Sequence, residues 1–93
     1  MFSSSDMNYL RQAASHFVIC RLNGHDATIQ SIVTGHEWII ISFYDNSSCI
    51  INHRHSRRYP YHRQKGCFRS LREAFCYISE HETWFINHKM KNR

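Results

Sequence analysis

The amino-acid sequence predicts an α+β fold: a three- to four-stranded antiparallel sheet packed by a C-terminal helix, with a short N-terminal helix. Short apolar, β-branched runs are separated by turn residues, and capping residues precede amphipathic stretches at both ends of the chain. The chain has 93 residues, which is enough for one domain, 1–93, with a single modest core.

The N-terminal helix is predicted from capping residues and helical spacing. Ser3 to Asp6 offer side chains that can accept hydrogen bonds from the first backbone N–H groups of a helix. We therefore expect one short helix that ends near His16. The apolar positions that support it are Met7, Leu10, Ala14 and Phe17.

The middle of the chain predicts an antiparallel meander. Asn23-Gly24 suits a two-residue hairpin loop, and turn residues recur at 34–36 and 45–48. Because tight turns join neighbouring antiparallel strands, we expect the segment 37–44 to be the central strand. The predicted strands are Phe17–Leu22, Ala27–Val33, Glu37–Tyr44 and a short strand from Cys49 to about His53.

The C-terminal helix is predicted to begin at Leu71 and to run to about His88. The sequence from Ser70 to Glu73 matches a capping box, in which the Ser hydroxyl and the Glu carboxylate each accept a backbone N–H of the first turn. A similar pattern begins at Ser79, so a break there and a second short helix are the alternative. The stripe expected to pack on the sheet is Leu71, Ala74, Phe75, Ile78 and Phe85.

Cysteine content and hydropathy indicate a cytoplasmic protein without a membrane segment. The N-terminus has no basic start followed by an apolar run, which a secretory signal requires. We therefore expect the four cysteines to be reduced thiols, with Cys20, Cys49 and Cys76 buried. The longest apolar run is far too short to span a bilayer.

Positive charge is concentrated in one part of the chain. Residues 46–72 contain no acid and carry a formal charge of +7, whereas residues 1–45 sum to −2 and residues 73–93 to zero. Most of this charge falls in the segment 53–69, called the basic loop below, between the last strand and the C-terminal helix. A one-sided positive field favours a polyanionic partner.

These features predict a small non-enzymatic nucleic-acid-binding protein. Arginine and lysine side chains would contact phosphates, while tyrosines interleaved with them would stack on unpaired bases. A solvated loop kept soluble by its charge is the alternative interpretation. The candidate binding residues are Arg54, Arg57, Arg58, Tyr59, Tyr61, Arg63 and Lys65, with Arg69 and Arg72 near the helix N-terminus.

A second function class stays open. The chain could be a phage- or plasmid-encoded inhibitor or adaptor that binds an acidic or nucleic-acid-receiving surface of a host protein complex. It resembles anti-CRISPR proteins in being small and compact. Exposed aromatic residues at one end of the C-terminal helix would then anchor the interface: Tyr77, Trp84 and Phe85.

No cofactor is expected, although one set of residues has spacing that could hold zinc. Cys49 and His53 are separated by three residues, and His62 and Cys67 by four, which allows a tetrahedral site. His55 could replace His53. This zinc set therefore stands as the alternative to a metal-free loop.

Catalysis has weaker support. Arg57 and His62 have an R-x4-H spacing, as do Arg11 and His16, and this spacing occurs in one helical ribonuclease superfamily. However, the basic loop contains no carboxylate that could orient a histidine as an acid or base. A ribonuclease-like activity is therefore the alternative to a non-enzymatic protein.

The order helix, three or four strands, helix resembles that of double-stranded-RNA-binding domains, and Ser70-Leu71-Arg72-Glu73-Ala74 is similar to the start of their second helix. That helix carries a lysine-rich phosphate-binding motif in the family. Here Leu71 and Phe75 are apolar and only Arg72 is basic. A sheet with one helix is also similar to the small DNA-binding domains of phage integrases.

Overall fold

The computed structural model describes residues 1–43 and 48–90 and confirms the α+β class. Five strands form one antiparallel sheet in the order β1-β2-β3-β4-β5, so each strand pairs with its neighbour in sequence. The predicted meander is therefore confirmed, with one strand more than expected. In chain order the elements are α1 (Ser4–Ala13), β1 (Phe17–Leu22), β2 (Asp26–Ser31), β3 (Glu37–Ser42), β4 (Cys49–Arg54), β5 (His62–Arg63) and α2 (Leu71–Phe85), followed by a π-helical turn (Ile86–Met90).

The short helix α1 begins where the sequence predicts and ends earlier. Ser3 Oγ accepts a hydrogen bond from the Asp6 backbone N–H at 3.0 Å, and the Asp6 carboxylate accepts one from the Ser3 N–H at 3.3 Å. The helix ends at Ala13 because Ala14 leaves the helical conformation, with φ −88° and ψ 46°. The predicted end near His16 is wrong because the chain must extend at Phe17 to begin β1.

The first hairpin turn uses Asn23 differently from the prediction. Its side-chain oxygen accepts hydrogen bonds from the backbone N–H groups of His25 at 2.8 Å and Asp26 at 2.9 Å. Asn23 N–H in turn donates to the Asp26 carbonyl at 3.0 Å. The two central residues are therefore Gly24 and His25, one position later than expected.

The turn after β2 also begins earlier than expected. Ser31 Oγ accepts hydrogen bonds from the N–H groups of Val33 and Thr34, which ends β2 at Ser31. Gly35 adopts φ 77°, a conformation that favours glycine. At the other end of β3, the strand stops at Ser42, and most of the predicted turn at 45–48 lies outside the described residues.

Helix α2 begins at Leu71 as predicted, and the structure shows no break near Ser79. Ser70 Oγ accepts the Glu73 N–H at 3.1 Å. The Glu73 carboxylate accepts a hydrogen bond from the Arg69 backbone N–H at 3.3 Å. A capping box would use the N–H of Ser70 instead, so the observed donor is one residue earlier in the chain. The continuous helix is confirmed, with its last turn widened to a π-helical turn after Phe85.

One face of the sheet and the two helices enclose the core. Alternation along β2, β3 and β4 points every second side chain toward α2. No helix in residues 1–43 and 48–90 is long and apolar enough to cross a membrane. The buried apolar residues are Phe2, Leu10, Ala14, Ala27, Ile29, Trp38, Ile40, Cys49, Ile51, Leu71, Ala74, Phe75 and Ile78.

All four cysteines are free thiols, but only one of the three expected to be buried is so. Cys49 is buried, whereas Cys20, Cys67 and Cys76 are exposed. The burial predicted for Cys20 is wrong because alternation along β1 puts Phe17 and Ile19 on the partly buried side and Val18 and Cys20 on the exposed side. The burial predicted for Cys76 is wrong because it faces out of α2.

Candidate functional site

A cluster of histidines lies at one end of the sheet, on the side that faces α2. Trp38 of β3 pairs with His53 of β4. His36 lies one residue before β3 and His55 one residue after β4, each two positions from a member of that pair, so continued alternation places them on the same side. The cross-strand pairing therefore gathers residues that are 17 to 19 positions apart in sequence.

Three of these side chains, His36, His53 and His55, form what we call the histidine triplet. One ring nitrogen from each can be chosen so that all three lie within 4.8 Å of one another. His53 Nε2 and His36 Nδ1 are 3.1 Å apart, which is hydrogen-bonding distance. The His36 and His55 rings stack with centroids 4.3 Å apart and an interplanar angle of 7°.

Aromatic side chains cover the triplet. The Trp38 indole stacks on His53 with centroids 3.7 Å apart, and the edge of Phe85 meets His36 at 4.4 Å. His36 and His53 are consequently only 3% and 6% exposed, whereas His55 is exposed. The triplet thus has two buried members and one that faces solvent.

Burial decides the protonation of the two inner histidines. It lowers the pKa of His36 to about 4 and that of His53 to about 3, with further lowering by neighbouring histidines. Burial also lowers the pKa of His81, whose ring centroid lies 5.2 Å from that of His53. At neutral pH His36 and His53 are therefore uncharged.

A buried carboxylate supports the cluster from α2. Glu82 Oε1 accepts hydrogen bonds from the Thr34 hydroxyl at 3.0 Å and from the Trp38 indole N–H at 3.2 Å. Within the described part of the chain, Glu82 Oε2 and His81 Nδ1 are buried and have no hydrogen-bond partner. Glu82 also lines a groove of about 240 Å³ with apolar side chains that include Val33.

A second groove connects the histidine triplet with the basic loop. It has a volume of about 350 Å³. Two members of the triplet form part of its wall, and the remaining wall belongs to the end of β4 and to the loop that follows. The lining residues are His53, Arg54, His55, Tyr59, His62 and Gln64.

The structure places two of the predicted binding residues in an internal contact. Arg54 Nε lies 3.0 Å from the Glu37 carboxylate, and its guanidinium sits 4.2 Å from the ring centroid of Tyr61. The hydrogen bond that Arg54 donates to Glu37 raises the pKa of Arg54, which therefore keeps its charge. This charge is balanced by Glu37, so Arg54 and Tyr61 hold the loop against the sheet.

The other predicted residues of the basic loop are on the surface. Tyr59 is 57% exposed. Arg57, Arg58, Arg63, Lys65 and Arg69 are exposed as well. Arg72 is exposed on α2, and its guanidinium lies 4.2 Å from the ring centroid of Tyr9.

The basic loop is more ordered than a free loop. Its residues His62 and Arg63 form β5 against β4, and Gln64 N–H donates to the Ile51 carbonyl at 2.8 Å. Phe68 pairs with Cys49 by two backbone hydrogen bonds of 2.7 and 2.8 Å. Tyr77 from α2 donates to the Gln64 side chain at 3.0 Å. The loop is therefore tied to both the sheet and the helix.

The structure does not bring together the predicted zinc set of Cys49, His53, His62 and Cys67. Cys49 is buried, donates to the Ser70 carbonyl at 3.4 Å, and has a pKa that burial raises to about 12. No three of these residues have ligand atoms within 4.8 Å, since His53 groups with the rest of the histidine triplet instead. His62 is the cross-strand partner of His53, but among the suggested ligands only His53 and its alternative His55 belong to a group of three with ligand atoms close together.

The aromatic anchors predicted on α2 are only partly on the surface. Trp84 is 50% exposed and stacks on His88 with centroids 4.8 Å apart. Phe85 is half-buried because it covers the triplet, and Tyr77 is half-buried because it packs on Phe68. The expectation that all three are exposed is wrong.

The R-x4-H spacings do not fall on helix pairs. Arg57 and His62 are both exposed in the basic loop, the first before β5 and the second within it. Arg11 lies in α1, where it donates to the Asn8 side chain at 3.0 Å, and His16 follows the end of that helix. The spacing therefore lacks the structural context in which it supports ribonuclease chemistry.

Sequence reasoning missed His36 and His81 as members of the cluster. His36 was assigned only to a turn. The signal was present in two period-two pairs, His36 and Trp38 at the start of β3, and His53 and His55 at the end of β4. In a hairpin with the observed register these four residues must share a face.

No protein-family model matches this chain, and no curated protein or solved structure matches it either.

Proposed function

We propose that this is a small, non-enzymatic nucleic-acid-binding protein whose basic loop contacts phosphate groups. The observation that carries the proposal is the exposure of four positively charged side chains on this loop. Within residues 1–43 and 48–90, no ion pair involves Arg57, Arg58, Arg63 or Lys65, and all four side chains are exposed. Their charge is therefore available to an external anion.

Anchoring of the loop supports the same function. The Arg54 contacts with Glu37 and Tyr61 and the β5 pairing hold the segment on the sheet edge. A surface that is already ordered loses less conformational entropy on binding than a free loop does. The cations are accordingly presented in a defined arrangement.

Tyr59 is the residue proposed to contact a base. It is exposed beside the groove that leads to the triplet, and exposed aromatic rings among cations stack on unpaired bases. Tyr61 does not take this role, because its ring is engaged by Arg54. We therefore expect Tyr59 to contribute more to the affinity for single strands than to the affinity for duplexes.

The test is a titration against duplex DNA, duplex RNA and single strands at about 50 mM and about 200 mM salt. The wild type is compared with a variant that combines Arg57→Ala, Arg58→Ala and Arg63→Ala. Each lost phosphate contact should lower the slope of log affinity against log salt by about 0.7 to 0.9, so the variant should lose roughly two units or more.

A charge-matched control separates contact from net charge. Arg11→Ala, Arg21→Ala and Lys89→Ala together remove the same formal charge from outside the basic loop. This variant should keep most of the wild-type salt slope. Absence of binding by the wild type at low salt, or equal losses in the two variants, would contradict the proposal.

A second candidate function is binding to a protein partner as an inhibitor or adaptor. The observation that favours it is the exposure of Ile32 and Val33, which are 65% and 47% exposed, next to the groove that Glu82 lines. Affinity capture with the wild type and with Val33→Asp tests this function. A partner retained equally by both proteins would argue against this surface.

A further inference from the structure

We propose that His36, His53 and His55 form a binding site for a divalent transition-metal ion, with zinc as the favoured metal. Three imidazoles with nitrogens in close proximity are a ligand set that zinc accepts in proteins. This inference does not depend on nucleic-acid binding, because it concerns different side chains.

The distances support a shared ion. Two nitrogen ligands of a tetrahedral zinc ion lie about 3.3 Å apart, since each Zn–N bond is about 2.0 to 2.1 Å long. His53 Nε2 and His36 Nδ1 are 3.1 Å apart. The third nitrogen, from His55, completes a group that fits within 4.8 Å. Rotation of the His55 ring out of its stack on His36 would direct the third nitrogen to the same ion.

The protonation state favours metal binding. A histidine must offer a free lone pair, and binding competes with protons wherever the imidazole is charged. Because burial lowers the pKa of both His36 and His53, their rings are neutral at physiological pH. A metal ion would replace the hydrogen bond between these rings, and the proton of that bond would move to the other nitrogen of its own ring, so both rings stay neutral.

The surroundings would hold two ligands and leave the third accessible. Trp38 stacks on His53 and Phe85 packs against His36, so both inner rings are fixed by apolar neighbours. His55 is exposed, and its ring must turn from its stacked position on His36 to direct a nitrogen at the ion. That movement provides a path for the ion to enter.

The coordination would remain open on one side. His53 and His55 line the groove of about 350 Å³, so an ion bound to them faces this space. A site with three protein ligands keeps a position for water or an anionic oxygen. The site would therefore be accessible to a small anion that enters the groove.

The experiment uses tag-free, chelator-treated protein titrated with zinc chloride by calorimetry, with the imidazole nitrogens followed by NMR. We expect saturable binding of one ion, with shifts of one nitrogen in each member of the triplet. Cobalt(II) should give the visible absorption of a low-coordinate site. The expected transfer of the ring proton to the other nitrogen of His53 or His36 gives a signature that non-specific binding would lack.

His55→Ala is the principal variant, because this side chain is exposed and its removal should leave the fold intact. It should weaken zinc binding by about tenfold or more. His53→Gln tests an inner ligand, with far-ultraviolet circular dichroism to confirm folding. His16→Ala, which changes an exposed histidine outside the triplet, should bind zinc as the wild type does.

Three results would overturn the site. The first is no saturable binding of zinc or cobalt to the wild type. The second is unchanged affinity in folded His55→Ala, and the third is a set of NMR shifts confined to histidines outside the triplet. Because none of these measurements includes nucleic acid, failure of the metal site would leave the proposed function of the basic loop unaffected.

Discussion

The Glu82 carboxylate, on a side chain only 6% exposed, accepts the indole N–H of Trp38 at 3.2 Å and joins α2 to the central strand. The same oxygen accepts the Thr34 hydroxyl at 3.0 Å. One acidic side chain thus satisfies two donors from the β2–β3 turn and β3 beside the histidine triplet.

Removal of this acceptor should cost stability. Glu82→Ala leaves the Trp38 and Thr34 donors without their partner, and we expect a loss on the order of 3 kcal/mol in the free energy of unfolding. Glu82→Gln keeps an oxygen for both donors and removes a buried charge, so its stability should stay within about 1 kcal/mol of wild type. Urea unfolding measures both. Equal destabilisation by the two variants would contradict this role.

The contact between Arg54 and Glu37 should be structural. Arg54→Ala removes the counter-charge of a carboxylate that is 7% exposed, so the urea midpoint should fall. Glu37→Gln in the same background should recover part of that loss, because the uncompensated charge is then gone. A double-mutant cycle by urea unfolding measures the coupling. Strictly additive effects would show that the ion pair contributes nothing.

The cysteines should differ in reactivity. Alkylation of the native protein at mildly alkaline pH should modify Cys20, Cys67 and Cys76, which are exposed, and should spare Cys49, which is buried. Mass spectrometry of the intact protein would then show three adducts, and a fourth only after unfolding. Peptide mapping identifies the protected residue. Rapid native labelling of Cys49 would be inconsistent with the observed core.

The Cys49 thiol should also make stability fall at alkaline pH. Its pKa rises from about 9.0 in the unfolded chain to about 12 in the folded one. Its stabilising effect is therefore complete below pH 9.0 and is lost as pH rises from there. The loss should approach about 1.4 kcal/mol per pH unit between that point and the folded pKa of about 12.

Cys49→Ala provides the comparison, because this variant has no thiol at position 49 that could titrate. The small cavity it creates should lower the free energy of unfolding by the same amount at every pH. Unfolding free energies of the two proteins between about pH 8 and about pH 10.5 should converge as pH rises. If the difference between the two free energies of unfolding stays constant over this pH range, the Cys49 thiol does not cause the loss of stability at alkaline pH.

Local sequence signals determined most of the fold. The boundaries of β1, the start of α2 and the N-terminal cap of α1 follow from apolar runs and capping side chains, because these depend on neighbouring residues. The basic loop was likewise predictable as a charge cluster. Exposure of Cys20 and Cys76 was not, since it depends on which side of β1 and which face of α2 meet the core.

Tertiary structure decided which residues meet. The sequence alone indicated a basic polyanion-binding segment and a Cys/His zinc set, both read from spacing along the chain. Strand register instead places His36 beside His53 and His55, buries Cys49 away from them, and pairs Arg54 with Glu37. Such contacts depend on the pairing of strands across the sheet and on helix packing, which sequence spacing does not specify. The sequence therefore determined the charge and every element except β5, and the fold decided which side chains can act together.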